Sequence, residues 1–186
     1  YFVNNALPYT QSGYTIRTAA LASALEDKIE SLSIVSRLGY PLVIGKIPKS
    51  HHKLNDLSIL LPKFWPFGVQ KQYQMAKNLL IKLCVKQQIS VIQTTSDFKN
   101  AALVSDVACE LGIPWIYEIR GEPHNTWLSR FMGPSIQKAK ESYLFQRSSY
   151  QELEAARKAN AVVVLSSLAR ERLVQSGIPE SKVLLA

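Results

Sequence analysis

Glu118 and Arg120 stand two residues apart, so a pleated strand would place both on one side, just before Gly121 permits a sharp turn. A carboxylate and a guanidinium so spaced make either an internal ion pair or a device that orients a ligand at a loop mouth. A second group lies in Leu7-Pro8-Tyr9-Thr10-Gln11-Ser12-Gly13-Tyr14, which ends in Ser12-Gly13 where a helical pattern begins. A missing side chain there lets a phosphate or a sugar hydroxyl approach backbone N–H groups at the positive helix end; the plain reading is an N-cap. A third, Thr94-Thr95-Ser96-Asp97-Phe98, is rich in hydroxyls and also meets a helix start, so Ser96 either touches a polar ligand or caps, and capping is the safer reading. The histidines offer less: His51 and His52 are adjacent in a polar stretch, and the lone His124 reads as an exposed loop residue rather than a general base.

No Ser-His-Asp order with an elbow and no paired carboxylates in matched loops accompany these residues, so they amount to half a binding site and no self-contained catalytic set. Neither G-x-G-x-x-G nor a Walker A run occurs, which removes the main support for nicotinamide or nucleoside-triphosphate binding. Cys84 and Cys109 lie in apolar, helix-like stretches without metal-ligand spacing and read as buried core thiols of a reducing compartment. No metal and no resident cofactor are expected.

Holding these loops in place takes a sheet. Short β-branched or aromatic runs alternate with longer amphipathic stretches, the pattern of an α/β chain whose parallel strands carry helices on both faces. Ligands then bind beyond the carboxyl ends of strands, where all three loops fall. Strands are expected at 1–4, 32–36, 57–61, 91–94, 115–119, 162–165 and 183–185. Helices are expected at 14–26, with Ile16, Ala19, Ala20, Ser23 and Ala24 as a close-packing face, and at 66–88, with Leu79, Leu80, Leu83 and Cys84 inward. Others follow at 100–111, stopped by Gly112, at 135–158, and after a cap at Ser166 or Ser167, ended by Gly177 and Pro179. The stretch 39–55 reads as an exposed, mobile loop, and 120–125 as the exit loop of the fifth strand.

The chain has 186 residues, 47% of them hydrophobic and 19% charged, the composition of a globular rather than a disordered chain. One compact domain is expected, and at this length roughly 70% of the unfolded surface can be buried without a staple. No window approaches the ~18 consecutive apolar residues of a membrane span, and the N-terminus lacks the basic-then-apolar order of a signal peptide, so the chain reads as soluble and cytoplasmic. It begins at Tyr1 and stops at Ala186, both inside expected strands, and is expected to be part of something longer. Lys and Arg number 22 against 14 Asp and Glu, and the formal charge of +8 favours an anionic partner: nucleic acid, a membrane surface or a phosphorylated small molecule. No DNA- or RNA-binding motif is visible, and nucleic acid is not expected.

Taken as an ordered set, LPYTQSGYTIRTAALASAL, SRLGYP, VIQTTSDFKNAALVSDVACELGIPWIYEIRGEP and ELEAARKANAVVVLSSLARERLVQSGIPESKV closely resemble the N-terminal half of retaining family-4 glycosyltransferases with the GT-B fold. The resemblance runs nearly end to end and is weakest over 48–74. It implies a Rossmann-like three-layer sandwich over 1–186, the acceptor side of a cleft completed by a C-terminal domain that binds the nucleotide sugar and holds the paired glutamates. Ser12 and Gly13 would form the glycine loop facing the donor diphosphate and the acceptor, and Arg17 belongs to the same pattern. Arg120 stands where many relatives carry a histidine near the transferred sugar, with Glu118 and Gly121 in the same motif; Glu152 and Ser166 match further family positions. Gln93 and Thr95 replace common histidines, and Asn160 a frequent aspartate, departures that bear on acceptor identity.

The implied partners are a nucleotide-diphosphate sugar, a glycan or glycolipid acceptor and the chain's own C-terminal domain, and the isolated chain is expected to be inactive. Many relatives work on membrane-presented acceptors, and Lys63-Phe64-Trp65-Pro66-Phe67-Gly68, followed by Lys71, Lys77, Lys82 and Lys86, would suit the anionic inner face of a membrane. The plainer reading makes those aromatics a core lid and those lysines a solvated face. The alternative from a different class is a non-catalytic α/β ligand-binding or sensory module.

Overall fold

The computed structural model describes residues 1–48 and 57–186. His51, His52 and the part of the expected mobile loop that runs from 49 to 55 lie outside the described residues. The chain gathers into two compact units, Tyr1–Ile92 and Gln93–Ala186.

In the first unit β1 (Phe2–Val3), α1 (Gly13–Leu25), β2 (Ile34–Ser36), β3 (Leu57–Ile59) and α2 (Val69–Lys86) follow in order. The strands are parallel and lie in the order β3-β2-β1, with Val3 opposite Ser36 and Ser36 opposite Ile59. Val3, Ala6, Tyr9, Ala22, Ile34 and Tyr40 form the buried core beside them. The face expected for α1 is corrected: Thr15, Thr18 and Ala22 are buried, whereas Ile16, Ala20, Ser23 and Ala24 are exposed. The cap sets this phase, because Ser12 engages Thr15 and turns it inward, and Thr18 can be buried because its hydroxyl donates to the Tyr14 carbonyl at 2.9 Å. In α2, Leu80 and Cys84 are buried as expected, with Ala76, while Leu79 and Leu83 flank the stripe half-buried. The stretch after β2 is not all loop, since a short 3-10 turn occupies Leu42–Ile44.

The second unit carries β4 (Ile92–Thr95), α3 (Phe98–Leu111), β5 (Trp115–Ile119), α4 (Pro123–Leu128), α5 (Ser135–Glu141), α6 (Tyr143–Lys158), β6 (Ala161–Val164), α7 (Ser167–Gln175) and β7 (Val183–Leu185). Its strands lie in the order β4-β5-β6-β7, with β5, β6 and β7 paired in parallel and Glu118 opposite Val163. Helices α3 and α6 pack on each other, and Val104, Val107, Tyr117, Ala156, Val162 and Val164 lose nearly all contact with water.

Three expectations change here. Cys109 is exposed, because the buried face of α3 runs through Ala101, Val104 and Ala108 and turns Cys109 away. The single helix expected over 135–158 is two, because Ser142 is extended at ψ 144°, its hydroxyl donating to the Ala139 carbonyl at 2.6 Å and accepting from the Phe145 N–H at 3.3 Å. The expected exit loop of β5 contains the start of α4, with Pro123 in its first turn, where a missing N–H costs nothing. Among the described residues no helix is long and apolar enough to cross a membrane.

Candidate functional site

In the first unit the loop between β1 and α1 is held from within. The buried Tyr40 hydroxyl donates to the Ala6 carbonyl at 2.7 Å, accepts from the Ala6 N–H at 3.2 Å and lies 3.0 Å from the Thr10 hydroxyl. Its ring meets Tyr9 edge-on at 6.0 Å, and the Lys46 ammonium donates to the Tyr9 carbonyl. Ser12 closes the loop with a capping box: its N–H donates to the Thr15 hydroxyl at 2.9 Å, and its own hydroxyl accepts from the Thr15 N–H at 3.3 Å. The Ser12 side chain is thus committed to the helix. Gly13, the first helical residue, is exposed, and a Cβ built there meets nothing within 4 Å, so that helix end is open to a neighbour. Arg17 follows one turn later, half-buried.

The second unit brings Ser96, Glu118, Arg120 and Gly121 together. Arg120 pairs with Glu118: its Nη2 donates to Oε2 at 3.0 Å and its Nε lies 3.0 Å from Oε1 as an ion-pair contact, and the two side chains are only 2% and 1% exposed. Gln93 donates to the same carboxylate at 3.1 Å. The pair is thus buried and joined within the protein. Ser96 fastens that turn: its hydroxyl accepts from the Arg120 N–H at 3.0 Å and donates to the Gly121 carbonyl at 3.3 Å, while its N–H donates to the Glu118 carbonyl at 3.0 Å. Asp97 caps α3 through the Lys99 N–H at 3.1 Å. The anion-attracting end of α3 is already filled by the chain itself, since the Glu152 carboxylate accepts from the Phe98 N–H at 2.9 Å and from the Tyr117 hydroxyl.

Beside this turn opens a cavity of about 720 Å³, walled by Gly121, Glu122 and His124 on one side, Phe145 and Glu152 of α6 on another, and Arg172 of α7. Arg172 pairs with Glu122 at 3.1 Å, and Lys140 adds a second cation to the lining. Burial pushes the Glu152 carboxyl above its usual range, against the bonds from Tyr117 and Phe98, and burial followed by the Glu152 charge pushes the Tyr117 phenol up. Burial also pushes the His124 imidazole down; Glu122 opposes this and Arg172 adds to it. The His124 ring stands edge-on to Phe145 at 5.4 Å, and its buried Nδ1 has no hydrogen-bond partner among the described residues. The cations of Arg172 and Lys140, with the His124 imidazole beside them, suit a polar ligand bearing hydroxyls or negative charge.

Of the expected site residues, Gly121 lines this cavity and Ser96, Glu118 and Arg120 support its wall, while Ser12, Gly13 and Arg17 belong to the first unit's loop. Sequence reasoning set His124 aside and gave Glu152 no chemical role of its own. Glu152 had a signal: it shares the inward phase of α6 with Ala155, Ala156 and Ala159, all buried, and a carboxylate on such a face must have partners. His124 had none, because its place in the wall depends on α6 and α7 folding over it.

Neither protein-family models nor curated proteins give a match to this sequence. Among solved structures, the UDP-GlcNAc 2-epimerase from Methanocaldococcus jannaschii is similar at 12% identity and a TM-score of 0.62, over 99% of this chain and 44% of that one. The UDP-GlcNAc 2-epimerase from Neisseria meningitidis bound to UDP-GlcNAc gives 11% identity and a TM-score of 0.64, over 99% of this chain and 44% of that one. LpCGTa in complex with UDP gives 14% identity and a TM-score of 0.50, over 97% of this chain and 50% of that one. The chain therefore spans half or less of the length of these proteins. At such identities the fold is what they share: the α/β class that the alternation of strands and helices predicts, in the Rossmann-like form that the resemblance implies.

Proposed function

We propose that this chain is the N-terminal, acceptor-side part of a GT-B enzyme that uses a nucleotide-diphosphate sugar, resembling the retaining family-4 glycosyltransferases and transferring the sugar to a glycan or glycolipid hydroxyl. The observation that carries this reading is likeness over 97 to 99% of the chain to solved structures that hold UDP or UDP-GlcNAc, joined to the ordered motifs of the sequence. The cleavage step leaves negative charge on the departing diphosphate, and a helix end left open by Gly13 stabilises charge of that sign. A polar cavity edged by Arg172 and Lys140 suits a hydroxyl-rich ligand. Residues that break the glycosidic bond are expected in the C-terminal half, so turnover belongs to the longer protein. A second reading, epimerisation of a UDP-sugar, is favoured by the epimerases among the similar structures.

The test is to incubate the longer protein containing this chain with a labelled UDP-sugar, with and without a lipid-linked glycan acceptor. Acceptor-dependent release of UDP, with the label on the acceptor and the anomeric configuration kept, supports transfer. Label recovered as a 2-epimer regardless of acceptor replaces transfer by the second reading. UDP-sugar bound but unchanged would leave a ligand-binding module.

A further inference from the structure

The chain's net charge is confined to one stretch. Residues 31–96 contain nine Lys and Arg and one Asp, whereas the rest of the chain balances thirteen basic against thirteen acidic side chains. From Leu57 to Ser96 there is no carboxylate at all. The same stretch carries apolar side chains turned to water: Phe64, Phe67 and Val69 are 86%, 87% and 84% exposed. Phe64 and Phe67 therefore form no lid on the core. Leu42, Val43, Ile44 and Ile47, in and just after the 3-10 turn, are exposed too. The two segments meet at Gly39, where φ is +74° and a Cβ would lie 2.5 Å from the Trp65 ring and 2.9 Å from Val43, so the backbone there is pinned under Trp65. Lys63 is exposed among these residues, and Lys71 and Lys82 continue along the exposed face of α2, opposite Ala76, Leu80 and Cys84.

We propose that this face of the first unit seats on an anionic lipid bilayer, with Phe64, Phe67 and Val69 entering the boundary between headgroups and acyl chains and the lysines facing the headgroups. Charge complementarity and the kind of apolar side chain choose the partner. Nucleic acid would also answer the charge, and its bases stack on rings such as Phe64 and Phe67, but Leu42, Ile44, Ile47 and Val69 are aliphatic and give bases no such platform, whereas hydrocarbon accepts them as readily as Phe. The proposal concerns a surface and stands apart from the assignment of any sugar chemistry.

Sedimentation of the 186-residue chain with vesicles tests it. Binding is expected to vesicles of phosphatidylcholine mixed with phosphatidylglycerol and not to phosphatidylcholine alone, and to fall as salt rises. Lys63→Gln with Lys71→Gln should weaken it by roughly fivefold per lysine. The double variant F64S/F67S should weaken it by roughly tenfold or more at an unchanged circular dichroism spectrum, because both side chains are already in water. Equal binding to neutral vesicles, no binding to anionic ones, or binding indifferent to both variants overturns the proposal. So does capture by a single-stranded oligonucleotide while anionic vesicles sediment without the chain.

Discussion

At the scale of single residues, burial decides what Arg120 does. Its guanidinium is paired with Glu118 and shielded from water, so its removal strands a carboxylate in the interior. Arg120→Ala is expected to cost about 3–5 kcal/mol in urea unfolding, and Arg120→Lys less, since a charge remains but the planar fork is lost. A cost below about 1 kcal/mol, together with lost turnover in the longer protein, would return Arg120 to the reacting sugar. Glu152 makes a prediction with a pH sign. Its carboxyl titrates above the ordinary 4.5 when folded, chiefly through burial, so the folded state binds this proton more tightly than the unfolded state. The stabilising contribution of that proton is whole below pH 4.5 and is lost as pH rises through the raised folded value. Glu152→Gln keeps an acceptor for the Phe98 N–H and has no such proton, so its stability relative to the parent should climb with pH across that window. Parallel urea curves on either side of the window check this; a constant offset between the two proteins would mean that Glu152 titrates normally.

Elements show which signals in a sequence are local. β5 and β7 fall where their β-branched and aromatic runs put them, at Trp115–Ile119 and Val183–Leu185, because each run is short and bounded by breakers, Gly112 and Pro114 before the one and Gly177 and Pro179 before the other. The cap at Ser12 was legible too, and that of α7 to within Ser166 or Ser167, of which Ser166 is the cap. The face of α1 was not: a helix of small residues has no strong apolar stripe, and the Ser12–Thr15 box settles its phase. Nor was the break at Ser142, which needs a backbone turn that a helical pattern on both sides conceals. For the site, the contents of the turn after β5 were readable from Glu118, Arg120 and Gly121, but the cavity beside it is made by distant helices and left no local mark. The capping box carries its own prediction. Ser12→Ala should lower stability by about 1 kcal/mol by leaving the first turn uncapped, whereas Gly13→Val, with empty space around its Cβ, should change stability little. If the open helix end meets a diphosphate, Gly13→Val in the longer protein should raise the dissociation constant for UDP-GlcNAc in a calorimetric titration while Tm holds. An unchanged constant would take Gly13 out of the site.

For the whole molecule, the uneven charge has a cost in stability that a balanced chain would not bear. Lysines 63, 71, 82 and 86 lie on exposed positions with no carboxylate between Leu57 and Ser96, so their mutual repulsion is unanswered within that stretch. Replacing all four by glutamine halves the formal charge of +8 and should stabilise the fold slightly, by up to about 1 kcal/mol at low salt. The gain should fade as ionic strength approaches ~0.15 M, where screening reaches ~8 Å. Arginines of the second unit behave oppositely. Arg157, Arg170 and Arg172 each have a carboxylate within 2.7, 2.9 and 3.1 Å, so neutralising them removes attraction and should cost a few tenths of a kcal/mol apiece. Thermal unfolding of the two sets of variants at low and physiological salt separates these contributions: opposite signs at low salt that converge at high salt are expected. Equal signs would mean that the lysines find partners in the fold, and a protein that keeps its cations satisfied internally has less reason to present them to an anionic surface.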